Sequence, residues 1–364
     1  MNILIDIGHP AHVHFFKNLI YNLKKKGHSV QLIARDKEVT HALLQAYGFE
    51  YFKRGELHKS MIKKALGILS IDYTIYKIAK KFNPDILLGV HNPYIAHVGK
   101  IMKKPSIIFT DTERVGIASW LTFPFADVIW TPSCFQDTID PKKHVTFNGF
   151  KELAYLHPNY FRPDPSVLKR SGLSENEKFI IVRFISWAAS HDINLCGIKS
   201  GNELNFVHYL ERFGRVVITS ERKLPADLEA YRLKIPPEDL HSLLYYANLY
   251  IGEGGTMATE AAVLGTPSIH LEATNEGVAS GTYIGNYLEL RDKYDLLYFY
   301  PDEKQALKKA SEILENPHAK EDWRKKRDRL ITEKIDVTTW MTNFIEHYAH
   351  DGGKEHKNHV QRTL

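Results

Sequence analysis

Short apolar runs alternate with amphipathic segments along the first 150 residues. The largely apolar run Asn2–Ile7 predicts a buried strand, and the apolar residues from Phe15 to Leu23 then recur at helical spacing. Further strands are predicted at Ser29–Ala34, Phe49–Phe52, Ile86–Val90, Ser106–Phe109 and Val128–Thr131. Further helices are predicted at Val39–Tyr47, 60–82 and Ile95–Met102. Because strands that alternate with helices pack in parallel, this pattern favours a doubly wound parallel sheet.

A segment rich in Pro, Asn and aromatic residues, 148–165, interrupts this rhythm before a second series of strands and helices begins. Its predicted strands are Phe179–Phe184, Val216–Thr219, Leu249–Ile251, Ser268–Leu271 and Leu296–Phe299. Its predicted helices are Glu203–Phe213, Pro237–Tyr246, Met257–Leu264, Glu303–Glu315, 319–332 and 337–348. The sequence therefore predicts two α/β domains of similar size, with ligands in an interdomain cleft that faces the carboxyl ends of the strands.

The expected domain boundaries follow from this division. An N-terminal Rossmann-like domain at 1–150 is expected to take the acceptor, and a C-terminal Rossmann-like domain at 165–335 is expected to take the donor. A helix at 336–348 is expected to pack back on the N-terminal domain. The polar residues 350–364 are expected to form a flexible tail.

Composition excludes several other classes of protein. The 364 residues are 43% hydrophobic and 25% charged, which excludes a disordered, collagenous or fibrous chain. Two cysteines are too few for a disulfide framework and favour a reducing, cytoplasmic compartment. No apolar run of about 18 residues predicts a membrane-spanning helix, and the start lacks the basic region and cleavage site of a signal peptide.

The net charge of +5 is divided unevenly. Residues 1–150 contain 20 Lys and Arg against 12 Asp and Glu, whereas residues 151–364 contain 28 against 31. A basic half fits an anionic membrane surface, a phosphorylated acceptor or nucleic acid, and it also fits lysines that only solvate helix faces. Because no RNA- or DNA-binding signature accompanies these residues, nucleic acid is not an expected partner.

The segment Gly252–Pro267 carries the most specific chemistry. Its small residues directly follow a predicted strand, so a ligand can approach the backbone closely. The helix that follows directs free N–H groups and its positive dipole end to the same place, which favours a pyrophosphate. Glu260, about one turn into this helix, can accept hydrogen bonds from ribose hydroxyls. The segment is neither a Walker A loop nor a Gly-x-Gly-x-x-Gly fingerprint, and an ordinary strand–loop–helix unit is the alternative.

This segment resembles the donor-nucleotide motif of GT-B-fold enzymes, which include UDP-sugar glycosyltransferases and the non-hydrolysing UDP-N-acetylglucosamine 2-epimerases. The matching residues are Gly254, Gly255, Thr256, Glu260 and the turn Gly265–Pro267. The resemblance implies that Gly254, Gly255 and Thr256 hold a donor diphosphate. It also implies that Glu260 holds the ribose.

The opening segment 6–16, Asp-Ile-Gly-His-Pro-Ala-His-Val-His-Phe-Phe, resembles the signature of a prokaryotic family called domain of unknown function 354, which is grouped with the same fold. The resemblance covers about residues 1–345. It implies that His12 is similar to a histidine that the peptidoglycan N-acetylglucosaminyltransferase places near the diphosphate and acceptor. Arg183, Ser186 and Trp187 follow the first strand of the second domain, where this fold contacts the base and diphosphate.

Three histidines, His9, His12 and His14, lie within six residues. They fit zinc poorly, because no cysteine lies near and a fourth ligand would have to come from a distant segment. Imidazole titrates near neutral pH, so His12 or His14 fits a general base that takes the proton from an acceptor hydroxyl. In the alternative interpretation, His9 only begins the turn and His14 only bonds a neighbouring strand end.

Two carboxylates follow the predicted strand Ser106–Phe109 directly and are expected to point into the cleft. Glu113 matches by its position a glutamate of both enzyme families named above, so it is a candidate base or acceptor-orienting residue. Asp111 is a second catalytic candidate. In the alternative, Asp111 or Thr112 caps a helix with Glu113 in its first turn.

Two departures count against epimerase chemistry. His91-Asn92-Pro93 stands where the epimerases carry His-Gly-Asp with a catalytic Asp. The region 185–192 lacks their His-Arg-x-x-Asn segment.

Residues 59–81 interleave six lysines with isoleucine, leucine and methionine. A basic amphipathic helix with exposed apolar side chains can lie on an anionic membrane and would suit a lipid-linked acceptor. A core-packed helix with a solvated lysine face is the alternative. The basic run Arg324–Arg327 alternates with acidic residues and is interpreted as a solvated helix surface.

Together these features favour a metal-independent, GT-B-type glycosyltransferase that moves a sugar from a nucleotide-diphosphate sugar, UDP-linked by resemblance, to an anionic or lipid-linked acceptor. The chain has no Asp-x-Asp triplet, so no metal is expected, and no cofactor is expected besides the donor. The expected location is cytoplasmic, peripheral to the inner face of the membrane. The alternatives are a 2-epimerase-like isomerase and a non-catalytic nucleotide-sugar-binding protein.

Overall fold

The computed structural model describes residues 1–55, 61–186, 195–199, 201–274 and 276–350. The chain forms two compact units. Unit 1 contains Met1–Tyr155 and the residues from Ile335 onward, and unit 2 contains Leu156–Lys334. The C-terminal tail expected at 350–364 lies outside the described residues, except for residue 350.

Seven parallel strands form the sheet of unit 1 within its described residues. They are β1 (Asn2–Ile7), β2 (Ser29–Ala34), β3 (Tyr51–Lys53), β4 (Ile86–Val90), β5 (Ser106–Phe109), β6 (Val128–Pro132) and β7 (His144–Phe147). Their order is β3-β2-β1-β4-β5-β6-β7, and Ile5 of β1 pairs with Leu32 on one side and Leu88 on the other. The strand order reverses between β1 and β4, which is where ligands bind in sheets of this kind.

Proline residues and side-chain caps in the local sequence determine where helices of unit 1 begin. In chain order they are α1 (Pro10–Lys25), α2 (Glu38–Ala46), α3 (Met61–Phe82), α4 (Pro93–Met102) and α5 (Gly116–Thr122). Proline stands first in α1 and α4, where its missing N–H costs no hydrogen bond. The side chains of His9 and Asn92 cap these two helices by accepting from the backbone N–H groups of Ala11 and Ile95.

Five parallel strands form the main sheet of unit 2, in the order β10-β8-β11-β12-β14. The strands of unit 2 are β8 (Phe179–Phe184), β9 (Leu195–Cys196), β10 (Arg215–Ser220), β11 (Leu249–Gly252), β12 (Ser268–Leu271), β13 (Ala273–Thr274) and β14 (Leu297–Tyr300). The short strands β9 and β13 form a separate antiparallel pair. Here the strand order reverses between β8 and β11.

A short helix, α6 (Leu153–Leu156), spans the boundary between the units. The helices of unit 2 are α7 (Ser166–Arg170), α8 (Glu203–Glu211), α9 (Leu240–Tyr246), α10 (Gly255–Leu264), α11 (Gly285–Asp292), α12 (Glu303–Glu315) and α13 (Ala319–Glu333), with 3-10 turns at Ala226–Tyr231, Pro237–Asp239 and Ser280–Tyr283. Every residue of α10 from Met257 to Leu264 is buried, and Gly265 ends the helix with φ +75°, a conformation that favours glycine.

The last helix, α14 (Val337–His350), belongs to unit 1. Trp340 and Phe344 pack edge-on against the buried Trp130 of β6, with ring centroids 5.2 and 5.1 Å away. The hydroxyl of Thr338 donates to the carbonyl of Ala154 at 2.7 Å. These contacts make α14 part of the core of unit 1.

Several elements were absent from the sequence-based prediction because they lack a clear apolar period. Helix α5 buries only Thr122, and its large apolar residues Ile117 and Trp120 are exposed. Strand β7 has four residues and lies at the edge of the sheet. The prediction of a fully solvated surface at Arg324–Arg327 was wrong in one part, because the Arg324 guanidinium lies over the ring of Tyr245 at 3.3 Å. None of the helices in the described ranges combines the length and the apolar character that crossing a bilayer demands.

A histidine joins three helices of unit 1. His97 of α4 contacts the Asp72 carboxylate of α3 through Nδ1 at 2.9 Å and the Leu121 carbonyl of α5 through Nε2 at 2.9 Å. Both partners only accept hydrogen bonds, so both ring nitrogens must carry hydrogen and the ring is an imidazolium. The hydrogen bond to Asp72 is the main cause that raises the pKa of His97, and burial opposes it.

This arrangement makes the stability of unit 1 depend on pH. Because the pKa of His97 is raised on folding, its stabilising effect is complete below the unfolded value of about 6.5 and is lost as the pH rises through the folded value. We expect the free energy of unfolding to fall over that window in the wild type, and His97→Gln to remove this component. Denaturant unfolding across the pH range measures it. His347→Gln, at an exposed histidine of α14, is the control and should keep the wild-type profile. Parallel profiles for wild type and His97→Gln would contradict the expectation.

Candidate functional site

The N-terminus of α10 lies at the point where the strand order of unit 2 reverses. Helix α10 follows β11 after one acidic residue and Gly254, which is its N-cap and offers no side chain to it. Gly254, Gly255 and Thr256 are half-buried, so their backbone can be reached from solvent. The first N–H groups of a helix have no intrahelical partner, so this terminus suits an anion.

Glycine is required at this terminus by close neighbours. A Cβ on Gly255 would lie 1.9 Å from the hydroxyl oxygen of Tyr287, and a Cβ on Gly254 would lie 2.9 Å from Cγ of Arg183. A Cβ on Gly252 would lie 2.4 Å from the backbone oxygen of Arg183. Because these three glycines have no Cβ, Tyr287 and Arg183 can pack against the backbone beside the helix N-terminus.

Arg183 and Ser186, both predicted from sequence, lie together at the end of β8. The Arg183 guanidinium forms an ion pair with Glu221, and the Ser186 hydroxyl lies 3.5 Å from the other oxygen of the same carboxylate. Arg183 is half-buried and Ser186 is exposed. An incoming anion can therefore replace Glu221 as the partner of Arg183. Trp187 and 188–192 lie outside the described residues.

Glu253 was not predicted as a site residue. Its side chain has no exposed surface and accepts hydrogen bonds from the backbone N–H groups of Ile185 and Ile198, each at 2.9 Å. A buried carboxylate needs such donors, so Glu253 holds the segment after β8 beside the start of α10. The sequence signal that could have identified this role is the position of Glu253 among small and apolar residues.

Glu260, the predicted ribose ligand, is buried in α10 against a histidine. Its Oε1 lies 3.0 Å from Nε2 of His241 on α9, and both residues are at most 5% exposed. Nearby, the hydroxyl of Tyr250 donates to the carbonyl of Gly254 at 2.8 Å. Burial raises the pKa of Tyr250, so this hydroxyl stays protonated and holds the N-cap residue in place. His241 and Tyr250 are residues that sequence reasoning missed.

His12 lies at the corresponding place in unit 1, just after β1. Its Nδ1 accepts a hydrogen bond from the backbone N–H of Gly8 at 3.2 Å. Burial is the largest cause that lowers the pKa of His12, and the neighbouring charges of His9, Lys151, Arg54 and His91 lower it further. The ring is therefore neutral near pH 7, and because Nδ1 accepts, Nε2 carries the hydrogen. His12 presents an N–H donor in this arrangement.

A buried ion pair lies beneath the loop that joins β1 to α1, the helix that carries His12. Asp6 of β1 is fully buried, with Arg54 Nε 3.0 Å from its Oδ1 and Asn92 Nδ2 donating to Oδ2 at 2.5 Å. Burial raises the pKa of Asp6, and the charge of Arg54 and the hydrogen bond from Asn92 oppose this. The guanidinium of Arg54 also lies over the ring of Tyr94 at 4.7 Å. Asn92 therefore caps a helix and also holds Asp6.

The structure separates the two predicted catalytic histidines. His14 is 7% exposed, contacts the hydroxyl of Tyr47 through Nδ1 at 3.2 Å and stacks on Tyr155 at 5.5 Å. His9 is exposed and caps α1, as the alternative interpretation has it. The arrangement around His14 is that of a packed histidine, which leaves His12 as the catalytic candidate of this segment.

Asp111 and Glu113 are both buried at the end of β5, with different partners. Asp111 pairs with Lys151 at 2.7 Å, whose charge also acts on His12. Glu113 accepts from the backbone N–H of Gln136 at 3.1 Å. Neither residue caps α5, whose N-cap is Val115 without a side-chain hydrogen bond. Asp111, Lys151 and His12 thus form one cluster, to which sequence reasoning did not assign Lys151. Among the described residues, no group of three His, Cys, Asp or Glu is placed to hold a metal ion.

Two parallel-sheet units of this kind place the chain in the GT-B fold class. Spinosyn rhamnosyltransferase SpnG, complexed with spinosyn aglycone, is similar over 94% of this chain and 99% of that chain, with a TM-score of 0.61 and 14% identity. Glycosyltransferase SsfS6 of Streptomyces sp. SF2575, complexed with thymidine diphosphate, is similar over 95% and 99%, with a TM-score of 0.60 and 13% identity. UDP-GlcNAc 2-epimerase of Neisseria meningitidis, bound to UDP-GlcNAc, is similar over 89% and 94%, with a TM-score of 0.61 and 13% identity.

The chain belongs to the family described as "Protein of unknown function (DUF354)", which it matches over residues 1–293. A curated relative, Uncharacterized protein MJ0665 of Methanocaldococcus jannaschii, is 24% identical over 284 residues, or 74% of this chain and 81% of that protein. The family resemblance of the opening segment is confirmed, and so is the GT-B fold expected from the glycine-rich segment.

The free energy of unfolding tests the close contact between Gly255 and Tyr287. Tyr287 is buried against His270 and Phe299, so its ring cannot move away freely. We expect Gly255→Ala to lower the free energy of unfolding by about 1–3 kcal/mol, the usual cost of overpacking. The double variant with Tyr287→Phe, which lacks the clashing oxygen, should regain most of this loss. Denaturant unfolding of wild type, Gly255→Ala, Tyr287→Phe and the double variant measures both effects.

Gly116→Ala is the matched control, because a Cβ there meets open space. A Gly255→Ala protein as stable as Gly116→Ala would show that the terminus of α10 is not closely packed.

Proposed function

We propose that this protein is a glycosyltransferase that uses a nucleotide-diphosphate sugar as donor and binds it at the N-terminus of α10. The observation that carries the proposal is this side-chain-free helix terminus, with Arg183 and Ser186 beside it at the point of strand reversal. The complexes of SsfS6 with thymidine diphosphate and of the Neisseria epimerase with UDP-GlcNAc support a nucleotide-diphosphate ligand.

The donor contacts follow from the chemistry of the residues. The first N–H groups of α10, at Gly255 and Thr256, bind the diphosphate, and Arg183 leaves Glu221 to bind it as well. The carboxylate of Glu260 accepts hydrogen bonds from the ribose hydroxyls, and His241 holds that carboxylate in position. Helix α10 therefore offers hydrogen-bond donors to the phosphates and a hydrogen-bond acceptor to the ribose of a nucleoside diphosphate.

Isosteric substitution of Glu260 tests the ribose contact. Glu260→Gln keeps an oxygen toward His241 but removes the negative charge, so we expect roughly tenfold weaker binding of UDP and thymidine diphosphate. Isothermal titration and the ligand-dependent rise in Tm measure it. Glu315→Gln, at an exposed glutamate of α12, is the control and should bind as the wild type does. If Glu260→Gln binds as tightly as wild type, the ribose assignment is wrong.

The reaction needs a group that stabilises the leaving diphosphate and a group that takes the acceptor proton. The acceptor oxygen bonds to the anomeric carbon while the bond from that carbon to the diphosphate oxygen breaks, and the electron pair leaves with the diphosphate. The N-terminus of α10 and Arg183 stabilise the charge that develops there. We assign the acceptor chemistry to unit 1, where Asp111 takes the proton and His12 donates its Nε2 hydrogen to a substrate oxygen.

Variants in unit 1 should separate chemistry from donor binding. We expect Asp111→Asn to slow sugar transfer by about 10²–10⁴-fold and to leave the affinity for UDP unchanged, because the donor site is assigned to unit 2. Radiolabelled UDP- and thymidine-diphosphate-linked sugars with an array of hydroxyl acceptors, including isoprenoid-diphosphate-linked saccharides, provide the assay. Glu50→Gln, at an exposed glutamate of unit 1, is the control.

Unchanged transfer by Asp111→Asn would remove it as the base and leave Glu113 as the candidate. Incorporation of deuterium at C2 of UDP-GlcNAc in deuterated water without an acceptor would overturn the transferase proposal in favour of the epimerase alternative.

A further inference from the structure

One helical layer of unit 1 carries most of the exposed apolar side chains. Ten large apolar side chains are exposed in the described part of the chain, and six of them lie on α3, α4, α5 and the turn after α5. We call these six the apolar patch: Leu69, Tyr73, Ile101, Ile117, Trp120 and Phe125. Ile117 and Trp120 are 79% and 73% exposed. Such a concentration marks a surface that contacts something other than water.

The apolar patch is not a part of the core that happens to be exposed. On α3, the residues that pack on the sheet are Ile71, Ile75 and Ala79, whereas Leu69 and Tyr73 lie on another side of the helix. Helix α5 buries only Thr122. The exposed side chains of Ile117 and Trp120 therefore add little to the packing of unit 1, which favours a role in binding.

The three helices that carry the patch are tied together. His97 of α4 bridges Asp72 of α3 and the Leu121 carbonyl of α5, and its ring meets Phe125 edge-on at 4.8 Å. The bridge holds the exposed residues of α3 and α5 in a defined arrangement. The patch is thus a preformed surface.

The charge around the patch is positive. Lys77, Lys80 and Lys81 follow Tyr73 along α3, and Lys100 and Lys103 end α4, all of them exposed. The ammonium groups of Lys77 and Lys80 lie 5.2 and 6.0 Å from the rings of Tyr73 and Tyr76. Residues 61–126 contain nine Lys and Arg against four Asp and Glu, and the one acidic residue of α3, α4 and α5 is Asp72, which His97 neutralises.

We propose that the apolar patch and its surrounding lysines dock unit 1 on the surface of an anionic lipid bilayer. Apolar side chains that enter the interface and lysines that reach the headgroups are the two components that peripheral binding needs. A second copy of this chain fits less well, because a symmetric contact would bring the same lysines against each other. The sequence pattern of 59–81 left open membrane contact or a core-packed helix. The structure buries Ile71 and Ile75 of α3 in the core and exposes Leu69. Helix α5 adds the exposed side chains of Ile117 and Trp120.

Vesicle flotation tests this proposal without any donor or acceptor, so its outcome is independent of glycosyl transfer. We expect the wild-type protein to float with vesicles of phosphatidylcholine and phosphatidylglycerol, to bind pure phosphatidylcholine weakly, and to be released by high salt. Ile117→Ser with Trp120→Ser should weaken binding at least about tenfold. Lys77→Gln, Lys80→Gln and Lys81→Gln together should remove the preference for anionic vesicles.

Matched controls lie on unit 2. Val278→Ser changes an exposed apolar residue, and Lys304→Gln with Lys308→Gln changes exposed lysines. Both control proteins should bind as wild type does. Because the substituted patch residues are exposed, the variants should keep the wild-type Tm.

A second measurement tests whether the side chain of Trp120 itself enters the bilayer. Brominated lipids should quench part of the tryptophan fluorescence of the wild type, and Trp120→Phe should bind the same vesicles but lose that quenching. Equal binding of wild type and the Ile117→Ser, Trp120→Ser protein would overturn the proposal. So would a wild-type protein that ignores anionic vesicles, or one that sediments as a dimer which the same double variant converts to a monomer.

Discussion

A buried carboxylate at the point of strand reversal holds each unit's candidate site in place. In unit 1, Asp6 pairs with Arg54 and Asn92, which come from the ends of two other strands. In unit 2, Glu253 accepts from the backbone of Ile185 and Ile198. A charge without water is tolerated only when donors surround it, so each carboxylate draws loops from separate strands together. Buried charges therefore hold together the loops at each candidate site.

The two sites differ in what they present to solvent. Unit 2 offers backbone N–H groups and a guanidinium, because glycine at 254 and 255 leaves room for Arg183 and Tyr287. Unit 1 offers a neutral imidazole at His12 and the pair of Asp111 with Lys151. The first arrangement suits a diphosphate, and the second suits a hydroxyl that must lose a proton. This division agrees with a transferase in which each unit handles one substrate.

We assign function to two surfaces of unit 1, which lie on different elements. The carboxyl ends of the strands hold His12 and Asp111, and the α3–α5 layer holds the apolar patch. Helix α14 occupies neither surface, since it packs against Trp130 in the core. Because α14 belongs to unit 1, the chain must pass through the whole of unit 2 before that core is complete.

The sequence by itself determined the parallel α/β pattern and the family, and it predicted the glycine-rich anion site, because these depend on local periodicity and on residues adjacent in the chain. It could not decide between His12 and His14, since only packing shows that His14 lies against Tyr47 and Tyr155. Lys151, Arg54 and His241 were missed because their partners Asp111, Asp6 and Glu260 lie on other elements. Of the apolar patch, the stripe read at 59–81 contained Leu69 alone, because Ile71 and Ile75 of that stripe are buried in the core and α5 has no stripe. Tertiary structure decided these points, because burial and pairing between distant residues leave no periodic signal in a sequence.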